Sequence, residues 1–274
     1  MSWKLCDTDW NHWPDQVSDH ELWHQSRKLG LAGIELGVYR TSEQLPSDRL
    51  NSLSELVRST GIPVSGVLLS LTPERWPNGA LTGEVDDVVN EVDALCQISS
   101  RLGLSVLGVW PGADPESSDP QILRRGIEKV SRAASRHGIR IAFEYKPDTA
   151  LRDAQTTLKL IEGVANAGVL VDTGHAYALG EDPAEVIRGV SDAGKLWHLH
   201  LGDAGFGGAD DDLPVGRLHN ADGYLSALQD VGYSGYGAFD LYGAVEGGGF
   251  TGDAAVSESL AAVHRFAGYP ESIE

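Results

Sequence analysis

Short runs of β-branched and apolar residues alternate along the chain with stretches of helical periodicity, each bounded by Gly, Pro, Asp or Ser. The apolar runs predict strands at 3–7, 33–36, 64–69, 105–109, 139–144, 169–172, 196–201 and 236–241. Helices are predicted between them, near 19–29, 47–60, 84–102, 119–137, 153–163, 183–190, 221–231 and 254–267. Ser18-Asp19-His20-Glu21 has the makings of a helix N-cap. Gly30, Gly61, Gly103 and Gly138 stand where helices should stop, each a few residues before the next strand. Eight such alternations without a break in composition predict one α/β domain over residues 1–274, a single (β/α)8 barrel around a parallel sheet. An open doubly wound sheet is the alternative, but its glycine-rich phosphate turn after strand one is replaced here by the aromatic and acidic DTDWNHWPD.

Composition narrows the picture further. A length of 274 residues is close to the roughly 250 of a lone barrel. No apolar run is long enough to span a membrane, and the N-terminus lacks the basic start and apolar core of a secretory signal. Cys6 and Cys96 have neither metal nor redox spacing, so reduced packing thiols and a cytoplasmic location are expected. With 21 Lys and Arg against 40 Asp and Glu, the formal charge is −19, which repels phosphate backbones and argues against a nucleic-acid partner.

Candidate chemistry lies at the C-terminal ends of the later strands, where alternate side chains point into a barrel's active site. Strand five ends with Glu144 and Lys146 on one face, and strand six with Asp172, followed three residues later by His175. Strand seven places His198 and His200 on one face, and strand eight ends at Asp240. Four successive strands thus deliver a carboxylate or imidazole to one rim, although each residue alone could equally be a loop-start carboxylate or a satisfied core histidine. Asp and Glu are rarely buried unless paired or metal-bound. Three oxygen donors and one His suit Mn²⁺ first, with Co²⁺, Mg²⁺ or Zn²⁺ as alternatives. The two long loops, 203–214 and 243–252, both follow strands and so lie on that face. Their Gly runs lack the Lys-Ser/Thr ending of a phosphate loop. Trp110 is expected as a pocket wall, Trp10 and Trp13 as site cover or dimer contacts, and Glu35 as a pocket or rim carboxylate.

The segments FEYKP, VDTGH, HLHLGD, the DDD run and FDLY resemble, in that order, the metal-site segments of xylose and L-rhamnose isomerases, and VWPGAD resembles the tryptophan segment of the sugar pocket. The resemblance spans strands four to eight. It implies a first metal held by Glu144, Asp172, His200 and Asp240 and a second held by His175, Asp210 and Asp212. It also implies a substrate pocket using Trp110, His175 and Lys146, with Lys146 at the reacting carbonyl oxygen. The implied reaction interconverts an unphosphorylated aldose and ketose. Within the same superfamily, ketose 3-epimerases and inosose isomerases or dehydratases share the first quartet. The epimerase pattern would have Glu144 and Asp240 move the proton, with Arg217 on the substrate.

Several features depart from the isomerase pattern. Its ring-opening histidine on an early strand has no counterpart, and neither His12 nor His24 takes that role. The loop before Asp210 is long, so Asp203, nearer to His200, stands as an alternative to one of the Asp210/Asp212 pair. The chain is shorter than those isomerases, and a homo-oligomer is compatible with its size. An abasic-site endonuclease on the same barrel would need further zinc-binding histidines on strands two to four and in the strand-seven loop, and strands three and four carry none.

Overall fold

The computed structural model describes residues 3–112 and 119–266. Eight strands form the barrel: β1 Lys4–Thr8, β2 Ile34–Val38, β3 Val64–Ser70, β4 Val106–Trp110, β5 Arg140–Glu144, β6 Ala167–Asp172, β7 Leu196–Leu201 and β8 Tyr236–Phe239. Each is parallel to the next, and β8 pairs with β1 to close the sheet. The outer helices are α1 Asp19–Lys28, α2 Ser47–Thr60, α3 Val85–Arg101, α4 Pro120–Ser135, α5 Ala154–Ile161, α6 Pro183–Asp192, α7 Asp222–Asp230 and α8 Gly252–Arg265. The expected alternation is present, with boundaries shifted by one to a few residues. The end of VWPGAD and residue 267 of the last predicted helix lie outside the described residues.

Local chemistry sets these limits. Ser18 and Glu21 form a reciprocal capping box at the start of α1, while Asp182 caps α6 ahead of Pro183. Gly61 ends α2 in the left-handed conformation (φ +77°), which costs a residue without Cβ little. Outward strand residues such as Leu5, Leu36, Ile141, Val171 and Leu199 share one buried cluster with Leu53, Val92, Ile127, Ile187 and Leu225 of the helices. Inside the barrel a smaller cluster joins Trp10, Leu68, Ala142 and Leu170.

Two local features place the polar residues. Between β6 and β7 the register slips, Val169 facing Leu196 but Leu170 facing His198. The extra residue, Trp197, packs over Gly168, where a Cβ would meet its ring at 2.2 Å. Across the barrel, Gly66 leaves room for Glu35, whose carboxyl carbon lies 2.9 Å from where a Cβ would stand. Glu35 is therefore accommodated in the barrel interior.

Candidate metal centre

Glu144 and Asp172 are the last residues of β5 and β6, His200 is the penultimate residue of β7, and Asp240 directly follows β8. His200 Nδ1 lies 3.3 Å from Asp240 Oδ2, 3.4 Å from Glu144 Oε1 and 3.8 Å from Asp172 Oδ2. One donor atom from each of the four falls within 4.8 Å of the others. Much of the remaining donor capacity is committed to the protein. Asp172 Oδ1 accepts the His175 N–H at 2.9 Å, and Asp240 Oδ1 accepts the Trp10 indole N–H at 2.8 Å. Glu144 Oε1 and His200 Nδ1 are buried without a hydrogen bond, facing the cluster. Buried polar atoms of this kind call for a partner, and a divalent cation would supply one.

Behind His200, Glu35 Oε2 lies 3.4 Å from its Nε2 and 2.8 Å from His198 Nε2. Burial alone would raise the Glu35 carboxyl, but the two imidazoles beside it pull it down to about 2. A carboxylate behind the imidazole turns the opposite ring nitrogen toward the cluster, the usual device for orienting a histidine ligand.

A second group adjoins the first. His175, Asp210 and Asp212 also bring donor atoms within 4.8 Å of one another. The His175 Nδ1 lies 2.9 Å from the Tyr145 carbonyl, to which an N–H would donate, leaving Nε2 3.2 Å from Asp210 Oδ2. Gly243 N–H donates to Asp212 Oδ2 at 2.9 Å, and Lys146 Nζ contacts Asp210 Oδ2 at 2.6 Å. Burial works against the Lys146 ammonium, but Asp212 and Asp210 outweigh it and hold its pKa above the ordinary value. Burial, with Asp240 and Asp210 nearby, drives Asp212 well above the usual carboxylate range. Five carboxylates thus share this mouth with a single lysine, a surplus of negative charge that divalent cations would neutralise.

Both groups border one cavity of about 370 Å³. Its lining combines Glu144, Lys146, His175, Asp212, Asp240 and Tyr242 with Trp10, Trp13, Gly37, Tyr39, Leu68, Ser70, Thr72 and Trp110. Trp13 meets Tyr39 and Tyr242 edge-on, at centroid separations of 6.1 and 6.4 Å. Trp10, Trp13 and Trp110 all line this cavity.

Residues 23–260 match the family model described as xylose isomerase-like TIM barrel. The chain belongs to this family. No curated protein sequence matches it significantly. Among solved structures, this xylose isomerase-like barrel is similar to a D-allulose 3-epimerase from Methylomonas sp. (14% identity, 96% of this chain and 98% of that one, TM-score 0.77). It is also similar to the IOLI protein with a bound zinc atom (20% identity, 95% and 96%, TM-score 0.73). A third similar structure is a D-tagatose 3-epimerase-like protein (17% identity, 95% and 96%, TM-score 0.75).

The barrel brings together all seven expected metal ligands, in the two groups expected, with Lys146 on the second. Two other expectations are corrected. Asp203 does not replace Asp210 or Asp212, because its carboxylate accepts the N–H groups of Ala204, Leu218 and His219 and contacts His219 Nδ1 at 2.7 Å. It latches the loop instead. Arg217 does not line the cavity: it pairs with Glu258 at 3.0 Å and stacks over Phe250, on the flank of α8. His12 sits outside the cavity on Asp7, at 3.0 Å, and His24 lies beside His20 on α1. The Trp10 bond to Asp240 and the Glu35 support of His200 were not anticipated. The only sequence signals for them were an aromatic after β1 and an acid inside an apolar strand.

Proposed function

We propose that this family member is a metal-dependent sugar isomerase that interconverts an unphosphorylated aldose and its ketose, with Mn²⁺ as the preferred ion. The observation that carries this reading is the adjacency of the two ligand groups, Glu144/Asp172/His200/Asp240 and His175/Asp210/Asp212, with Lys146 beside them in one cavity. Bound divalent ions would act there as Lewis acids, polarising the sugar oxygens. Lys146, kept protonated by Asp210 and Asp212, is placed to donate to an oxygen that gains negative charge during the reaction. Trp10, Trp13 and Trp110 in the cavity wall offer faces on which a sugar ring or chain can pack. The reaction moves one hydrogen between carbons 1 and 2 and one proton between their oxygens, so no co-substrate is needed. Free, buried Cys6 and Cys96 support a cytoplasmic location. Among the described residues no helix is long and apolar enough to cross a membrane.

A ketose 3-epimerase is the second reading, with inosose isomerase or dehydratase chemistry at the same quartet. It is favoured by the likeness to solved 3-epimerases, one of them in complex with D-allulose. Its proton would be handled by Glu144 and Asp240. Against it stands the Trp10 bond, which occupies one Asp240 oxygen while the other faces His200.

The deciding experiment loads the protein with Mn²⁺, offers aldoses, ketoses and inososes in deuterated water, and reads the products by NMR. An aldose–ketose product without incorporated deuterium is expected. Deuterium at carbon 3 of an epimerised ketose would establish the second reading instead.

A further inference from the structure

Asn11, in the single turn Asp9–His12 after β1, is fully buried, and its whole amide is used. Nδ2 donates to the Phe239 carbonyl at 2.8 Å and to Asp7 Oδ1 at 3.2 Å, while Oδ1 accepts the Leu241 N–H at 2.9 Å. The Phe239 carbonyl and the Leu241 N–H belong to the two peptide groups on either side of Asp240. Backbone pairing between β1 and β8 ends at Cys6 and Ala238, so no ladder bond does this work. On the opposite side, the Asp240 N–H bonds the Leu201 carbonyl at 3.1 Å. With both peptides pinned, the direction of the Asp240 side chain follows: Oδ1 on Trp10, Oδ2 toward His200.

The turn does not depend on Asn11 alone. Asp9 accepts the Gly37 N–H at 2.7 Å and pairs with Arg49, tying the turn to β2 and α2. Removal of the Asn11 amide should therefore leave the turn in place and release mainly the backbone around Asp240. We infer that Asn11 is a positioning residue for the metal centre, setting the aim of Asp240 and through it the affinity of the first ligand group for a divalent cation. The inference rests on the metal-centre reading above. It concerns a side chain that touches neither metal nor substrate.

The test is a calorimetric titration of the full chain with Mn²⁺, alongside melting curves of the metal-free protein. Asn11→Ala should raise the Mn²⁺ dissociation constant about 10- to 100-fold, the usual effect of losing an outer-shell partner. Thr8→Val, which removes a 3.0 Å bond to the same Phe239 carbonyl but leaves Leu241 held, should change it far less. An unchanged dissociation constant in Asn11→Ala, with only a lower metal-free melting temperature, would overturn the inference. Should that variant not fold, Asn11→Asp keeps the acceptor for Leu241 and loses the donor, and the same comparison applies. Wild type that takes up no Mn²⁺ overturns both the inference and the metal centre. Wild type that binds Mn²⁺ without converting any sugar counts against the proposed reaction only, and the affinity ratio still decides for Asn11.

Discussion

Asp240 is the residue on which the two functional readings divide. A general base needs a free oxygen within reach of the proton it takes. Asp240 has one oxygen on Trp10 and the other in the ligand group, so it is equipped to hold an ion. Asp240→Asn and Glu144→Gln should each abolish Mn²⁺ binding and turnover while circular dichroism shows an intact barrel, and full activity in either would contradict the assignment. The spacing of Glu144 and Lys146, of Asp172 and His175, and of His198 and His200 was readable because strand alternation and the first turn after a strand fix faces locally. The Glu35–His198 pair was not readable: its members lie 163 positions apart and meet only across the closed barrel. The resemblance pointed to Asp210 and Asp212, but the sequence left Asp203 open as an alternative to one of them. That choice depends on the loop backbone, including a left-handed Asp212 (φ +44°).

At the scale of elements, strand and helix order was legible because periodicity, caps and glycine stops agree along the chain. The register slip that turns Trp197 over Gly168 was not, since nothing in KLWHLHL marks one residue as extra. Close packing also reverses a local preference in α4. Gly126 is buried mid-helix, where Ala would ordinarily be favoured by about 1 kcal/mol. A Cβ there would stand 1.8 Å from the Leu81 carbonyl oxygen, in the turn Gly79–Gly83. Gly126→Ala should therefore destabilise, by about 1–3 kcal/mol from overpacking, and denaturant unfolding will show the sign. A gain in stability would mean that the turn yields.

For the whole molecule, the formal charge is −19, and five of the acidic side chains converge at one end of the barrel axis. Their mutual repulsion opposes folding, and an ion that binds only the native state relieves it. Mn²⁺ at a hundred times its dissociation constant should stabilise the protein by about 2.7 kcal/mol, seen as a rise in melting temperature that a chelator reverses. An equal rise with a monovalent salt of matched ionic strength would reduce the effect to general screening. The closed barrel was legible from the eight repeats together with the turn after strand one, whose DTDWNHWPD lacks the glycine-rich phosphate loop of an open doubly wound sheet.

The cavity wall divides by chain order. Every wall residue from the first four strand–loop units is aromatic, aliphatic, a glycine or a hydroxyl, whereas every carboxylate, imidazole and ammonium in the wall comes from the last four. The charged lining of the cavity is thus written in the second half of the polypeptide, and much of its uncharged lining in the first. Trp13, Gly37, Tyr39, Leu68, Ser70, Thr72 and Trp110 can be exchanged to suit a new substrate, whereas Trp10 and Asn11, in the same half, must stay because they hold Asp240. A barrel so arranged can diversify by single replacements on its uncharged wall, and three first-half residues, Trp10, Asn11 and Glu35, mark where such drift must stop.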